Sequence, residues 1–232
     1  MVITIIGVIA AISIPALKGI GQSQTITNGA RQMLEDIALA RQYAILNRSV
    51  VHIIFVPPGV KDMQLPDDPL ANRLRGGAYT TYAIYAERSI GDQPGQSRPR
   101  YMSRWKTLPE GVIIAPQELE DIGDKSWKAR PPIDRPFHYL KGFLFPTLTN
   151  AAVAMPHITF NPDGSLVSYN SDYRDEYVSL ARGSVLPART PQGQVIDFGV
   201  RESPPGNSTN NYYRVRIDEL TGRPYLERPE IQ

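Results

Sequence analysis

Apolar positions dominate the opening of the chain, and their pattern changes once within the first 48 residues. Met1 to Leu17, MVITIIGVIAAISIPAL, holds no charged residue and only Thr4 and Ser13 as polar ones. As a helix at about 1.5 Å per residue this run spans about 26 Å, close to a hydrocarbon layer of about 30 Å. A buried helix of a soluble core is the alternative reading at this length. From Lys18 the chain turns polar, yet Ile26, Ala30, Met33, Ile37, Ala40 and Ala44 recur at steps of four and three, flanked by a second row of Leu34, Ala38 and Ile45. That is the stripe of an amphipathic helix. The pattern predicts one helix of about 48 residues and about 70 Å, apolar all round in its first third and one-sided in the rest. Gly7 and Pro15 are its weak points, because proline removes a backbone hydrogen bond and glycine adds chain entropy.

After Ser49 the period shortens. Val50–Val56 is a β-branched run closed by Pro57-Pro58, and 78–86 alternates around Tyr79, Tyr82 and Tyr85. Further strands are predicted at 111–115, 158–160, 166–169, 177–181 and 212–217. Asn161-Pro162-Asp163-Gly164 is a turn that should join two antiparallel strands, since proline presets φ and glycine accepts positive φ. Loops at 58–77, 91–100 and 116–137 are longer than usual connections. The predicted organisation is an apolar helix over 1–17, its amphipathic continuation over 18–48 and a β-rich body over 49–232. The fold class is α+β, a long helix packed on an antiparallel sheet with long loops.

Composition narrows the function. The chain has 232 residues, 25 Lys+Arg against 23 Asp+Glu, and no cysteine. A near-neutral balance gives no general pull toward nucleic acid, and the absence of thiols excludes disulfides, thiolate metal sites and a cysteine nucleophile. Twenty of the 21 prolines follow residue 56, which confines long helices to the first segment.

Catalytic chemistry is sparse, and no catalytic or metal residue is assigned. His52, His138 and His157 lack the i, i+4 spacing of a helical metal pair and are read as structural histidines. Glu118, Glu120, Asp121 and Asp124 match no ion loop and are read as a solvated segment. Gly19-Ile20-Gly21 lacks the third glycine and preceding strand of a dinucleotide site, so no cofactor is expected. One stretch suits polyanions: Arg98, Arg100, Arg104 and Lys106 interleave with Tyr101 and Trp105, with no acid between Gln93 and Pro109. Phosphate contacts and base stacking are what it could supply. A contact with a neighbouring subunit is the competing reading, and nucleic acid is not among the expected partners.

ITIIGVIAAISIPAL, with Gly7 and Pro15 eight residues apart, resembles the N-terminal segment of type IV pilins and type II secretion pseudopilins. ARQMLEDIALARQYAILNRSVVHIIF resembles the GspH/FimT-type minor pseudopilins in particular, and ITFNPDGS at 158–165 and the 213–225 stretch are similar to that group's strand, turn and final hairpin. By length the chain also looks like a Verru_Chthon cassette protein of the D type. The resemblance implies a type IV pilin-like fold and a non-enzymatic subunit, held by one span in the inner membrane with an extracytoplasmic, periplasmic body. Such a subunit assembles through its helix into a pseudopilus or pilus-like filament. Ile3, Ile5, Ile6, Gly7, Val8, Ile9, Ile12, Ile14, Pro15 and Leu17 would form the membrane and filament-core helix, with 7–15 able to stretch. Ile26, Ala30, Met33, Leu34, Ile37, Ala44 and Ile45 would join helix to sheet.

The implied partners are sister subunits, the inner membrane, an assembly platform with a separate ATPase, and a prepilin peptidase. The peptidase belongs to a basic leader and a first-turn glutamate expected about seven residues upstream of Met1. Two other functions stay open: a DNA-binding minor pilin for DNA uptake, and a membrane-anchored periplasmic enzyme or binding module.

Overall fold

The computed structural model describes residues 2–62, 65, 68–88, 91–93, 96–116, 141–167 and 175–228, apart from the side chains of 2–23, 61 and 62. Helix α1, Val2–Asn47, opens the chain. Its apolar stripe from Ile26 to Ala44 is buried against the body. The helix closes at Asn47 and the chain turns sharply, with Arg48 at φ 46° and Ser49 N–H donating to the Ala44 carbonyl.

The body is α+β with antiparallel pairing throughout the described strands. Two five-stranded sheets and a two-stranded hairpin are present among the described residues, where the sequence predicted one sheet. Strand β1 (Val51–Phe55) pairs with β2 (Thr81–Ala86) and β8 (His157–Phe160), and β2 also pairs with the short β3 (Arg100–Tyr101) and β4 (Lys106–Thr107). In the second sheet the 14-residue β9 (Glu176–Arg189) pairs with β5 (Val112–Ile114), β10 (Val195–Glu202) and β11 (Tyr213–Ile217), and β11 carries β12 (Pro224–Glu227). The hairpin of β6 (Gly142–Leu144) and β7 (Ala152–Ala154) forms a sheet of its own.

Every residue of β1 and β2 is buried. Their side chains alternate between two apolar layers. Val51, Ile53, Phe55, Tyr82, Ile84 and Ala86 face the stripe of α1, together with Val178, Leu180, Val215 and Ile217 of the second sheet. Ile54, Val56, Ala83 and Tyr85 face the opposite way, onto Phe143, Phe145, Met155, Leu74 and Val60. The unbroken β-branched run at 50–56 is therefore a strand covered on both faces. Its second cover comes from the β6–β7 segment and from the 58–77 loop, which folds into a 3-10 turn at Pro58–Asp62 and helix α2 at Pro69–Arg75. Asp68 caps α2 by accepting from Ala71 N–H at 2.7 Å, and Pro69 sits where a helix N-terminus tolerates proline.

The turn at 161–164 reverses the chain after β8. Gly164 N–H donates to the Asn161 carbonyl, and Phe160 bridges antiparallel to Leu166. The predicted strand at 166–169 is only this bridge among the described residues. Gly164 (φ 87°) meets Gly222 (φ 62°), where an added Cβ would stand 1.9 Å from the Gly164 oxygen. Only glycine permits that approach with positive φ. β9 is far longer than the predicted 177–181, because Gly183 and Pro187 read as breakers in sequence yet lie in an arm held by β10.

Candidate functional site

The face of α1 that meets the sheets is the first surface with functional meaning. Ile26, Ala30, Met33, Ile37 and Ala44 are buried, and Leu34 is partly buried against the same core. Ile45 departs from expectation: it is 38% exposed, and its Cδ1 lies over the turn, 2.7 Å from where a Cβ on Gly164 would be. By its last turn the helix has reached the sheet's end, so Ile45 covers a loop. The filament-core positions Ile3, Ile5, Ile6, Gly7, Val8, Ile9, Ile12, Ile14, Pro15 and Leu17 have side chains outside the described residues. No helix among the described residues is long and apolar enough to cross a membrane.

An acid interrupts the buried stripe. Asp36 is 5% exposed, accepts from the Tyr82 hydroxyl at 2.6 Å and pairs with the Lys106 ammonium at 2.5 Å. Gln32, one turn earlier, donates to the Tyr82 oxygen at 2.9 Å and to the Thr107 carbonyl at 3.2 Å. Burial and then the Asp36 carboxylate hold the Tyr82 hydroxyl well above its ordinary range, so it stays a donor. This latch pins α1 to β2 and β4. Its sequence signal is Asp36 itself, an acid in phase with Met33 and Ala40, which needs a partner when buried.

The basic and aromatic stretch is divided by the same contacts. Tyr101 and Trp105 are partly buried and engaged by the fold. The Tyr101 hydroxyl donates to the Leu144 carbonyl at 2.6 Å, and Trp105 Nε1–H donates to the Pro146 carbonyl at 3.1 Å. Their rings stand 5.5 Å apart and pack on Tyr85 and Phe145. Lys106 is taken by Asp36, which leaves Arg98, Arg100 and Arg104 exposed on this stretch. The aromatics hold the β6–β7 hairpin onto the body, since burying their apolar rings outweighs offering them to a ligand.

Two histidines distant in sequence come together. Pairing of β1 with β8 brings the rings of His52 and His157 to 5.6 Å, with Phe143 5.0 Å from each. His52 bridges Thr159 Oγ1 at 2.8 Å and Glu87 at 2.9 Å, and Lys141 pairs with the same Glu87 carboxylate. His157 Nδ1 lies 2.8 Å from the Met155 carbonyl. Burial, then the Lys141 charge, lowers the His52 pKa from 6.5 to about 3, so the ring is neutral. Among the described residues no group of three or more His, Asp or Glu could hold a metal. His138 and the acidic run Glu118, Glu120, Asp121 and Asp124 lie outside the described residues.

A cleft of about 480 Å³ opens between α1, the 110–111 turn, the middle of β9 and the end of β10 paired with it. Its lining is mixed: Thr25, Glu110, Arg182, Ser184, Arg201, Glu202 and Ser203 stand among Gly111, Gly183 and Pro205. Glu202 already accepts from the Ser208 N–H at 3.1 Å and hydroxyl at 2.5 Å. The side chains of Arg182, Arg201 and Glu110 have no hydrogen bond or ion pair among the described residues. Sequence reading missed this cleft, because its residues come from four separate segments.

No family model matches this chain. No curated protein matches it either. Among solved structures it is similar to the type IV minor pilin FimU of Pseudomonas aeruginosa, at 13% identity and a TM-score of 0.37, over 90% of this chain and 96% of that one. Agreement at that level leaves the function to be argued from the residues.

Proposed function

We propose that this chain is a non-enzymatic, pilin-like subunit, a pseudopilin or minor pilin. In this reading it is stored in the inner membrane by its apolar opening and assembles through that helix into a type II secretion pseudopilus or type IV pilus-like filament. The observation that carries the reading is a division of labour along one helix. The stripe from Ile26 to Ala44 is consumed by the chain's own sheets. The run from Met1 to Leu17 is apolar on every side by sequence and so needs lipid or other helices around it. Transfer of such a surface from lipid to water costs about 25 cal/mol per Å², so it leaves the membrane only where neighbouring helices replace the lipid.

The expected partners are sister subunits, an assembly platform with its ATPase, and a prepilin peptidase acting on an upstream leader. The body sits on the periplasmic side. The inward packing of Tyr101 and Trp105 argues against the nucleic-acid alternative, since the base-stacking half of that surface is spent on the fold. The membrane claim is tested by fractionating cells that express the full chain. The chain is expected in the carbonate-resistant membrane pellet, and Ile9→Lys, at a cost of about 3 kcal/mol in mid-membrane, should shift it toward the supernatant. Recovery of the unaltered chain in the supernatant overturns the reading.

A further inference from the structure

We propose that the cleft beside Thr25 of α1 binds a phosphoethanolamine group, a zwitterion with a phosphate ester beside an ammonium. The lipid form of this inference rests on the membrane reading above, whereas the cleft's chemistry does not.

The register of the second sheet builds the anion half. Arg201 is the cross-strand partner of Ser184, and Arg182 precedes Ser184 by two residues, so all three side chains share one face. Arg182 is also the partner of Val112, whose side chain packs on Gly29 of α1, where an added Cβ would stand 2.9 Å from Val112 Cγ1. The face that β9 buries under the helix at Val178 and Leu180 therefore emerges into the cleft at Arg182. Two guanidiniums with Ser184 and Ser203 beside them supply the forked donors that phosphate oxygens accept.

The 110–111 turn, whose Gly111 carbonyl accepts from Gly183 N–H at 3.0 Å, supplies the cation half. Glu110 is exposed and, like both arginines, carries no ion pair among the described residues, while Glu202 is occupied by Ser208. A simple anion would meet Glu110, and a simple cation would meet two arginines. A ligand with both charges satisfies both groups. The volume, about 480 Å³, is that of a small-molecule site.

Position gives the source. Thr25 lines the cleft eight residues after Leu17, about 12 Å along the helix beyond the apolar run. Headgroups occupy about 5–8 Å outside the hydrocarbon on each side. The arginines thus stand just above a headgroup layer, within reach of their flexible stems.

The test uses the full chain reconstituted in vesicles of phosphatidylcholine alone, with phosphatidylethanolamine, or with phosphatidylglycerol, and reads the lipids retained after extraction. A separate titration uses free O-phosphoethanolamine and inorganic phosphate. Retention of phosphatidylethanolamine over the other lipids, lost about ten- to a hundredfold in Arg182→Gln and Arg201→Gln and unchanged in Arg100→Gln, supports a lipid source. Saturable binding of the free ester alone, with the same loss, supports a soluble source. Glu110→Gln should move preference from phosphatidylethanolamine toward phosphatidylglycerol, a change of selectivity that a merely structural role would not produce. Identical retention and titration in the unaltered chain and both arginine variants overturns the proposal. Failure to enter any vesicle overturns the membrane reading instead, and the free-ester titration still decides the cleft.

Discussion

His52 shows how a single residue turns burial into pH dependence. The folded protein holds its ring neutral, with a pKa lowered from 6.5 to about 3 by burial and by Lys141. In the unfolded chain the ring takes a proton below about pH 6.5. The group's contribution to stability is therefore full above pH 6.5 and declines as pH falls toward 3, because only the unfolded state gains a proton there. The expected slope from this one group reaches about 1.4 kcal/mol per pH unit. Denaturant titrations at several pH values between 4 and 7 should show it, and His52→Gln should flatten it. A slope unchanged by that substitution would mean other groups carry the acid sensitivity. The same logic makes His52 and His157 structural: both rings sit between apolar walls with hydrogen-bond partners, which suits a strand pair more than a ligand.

At the scale of elements, the α1 to sheet interface is held by an apolar stripe and one polar latch. Tyr82→Phe removes a hydroxyl that donates to a buried carboxylate. The expected loss is about 1.5–3 kcal/mol, measured by urea unfolding, since a buried charged acceptor then loses one of its two donors. A loss below about 0.5 kcal/mol would mean that Lys106 and water suffice for Asp36. The stripe itself was legible in sequence because residues three and four apart share a helix face, and β1 was legible because a β-branched run has no other use. The second sheet was less so. β10 (VIDFGVRE) and the far half of β9 carry Gly183, Pro187 and Gly199, which local reading treats as breakers. Their strand character comes from pairing with each other. Asp36 and Lys106 are 70 positions apart, and Arg182 and Glu110 are 72 apart, so neither the latch nor the cleft leaves a local pattern. The inward packing of Tyr101 and Trp105 left no local pattern either, because alternation with arginine reads equally as a nucleic-acid stretch or a subunit contact until the hairpin over them is known.

On the scale of the whole molecule, the helix of the proposed subunit has two solvents: its own sheets from Ile26 onward, and lipid or sister helices before Lys18. The absence of cysteine from all 232 residues makes this directly measurable. Ile5→Cys and Ile12→Cys together give each subunit two reactive points in the opening run. Treating intact cells with a membrane-permeant bis-maleimide should yield a ladder of cross-linked multimers, abolished when Ile9→Lys is added. Cross-linking of the same double variant that yields only monomeric product would contradict the proposal.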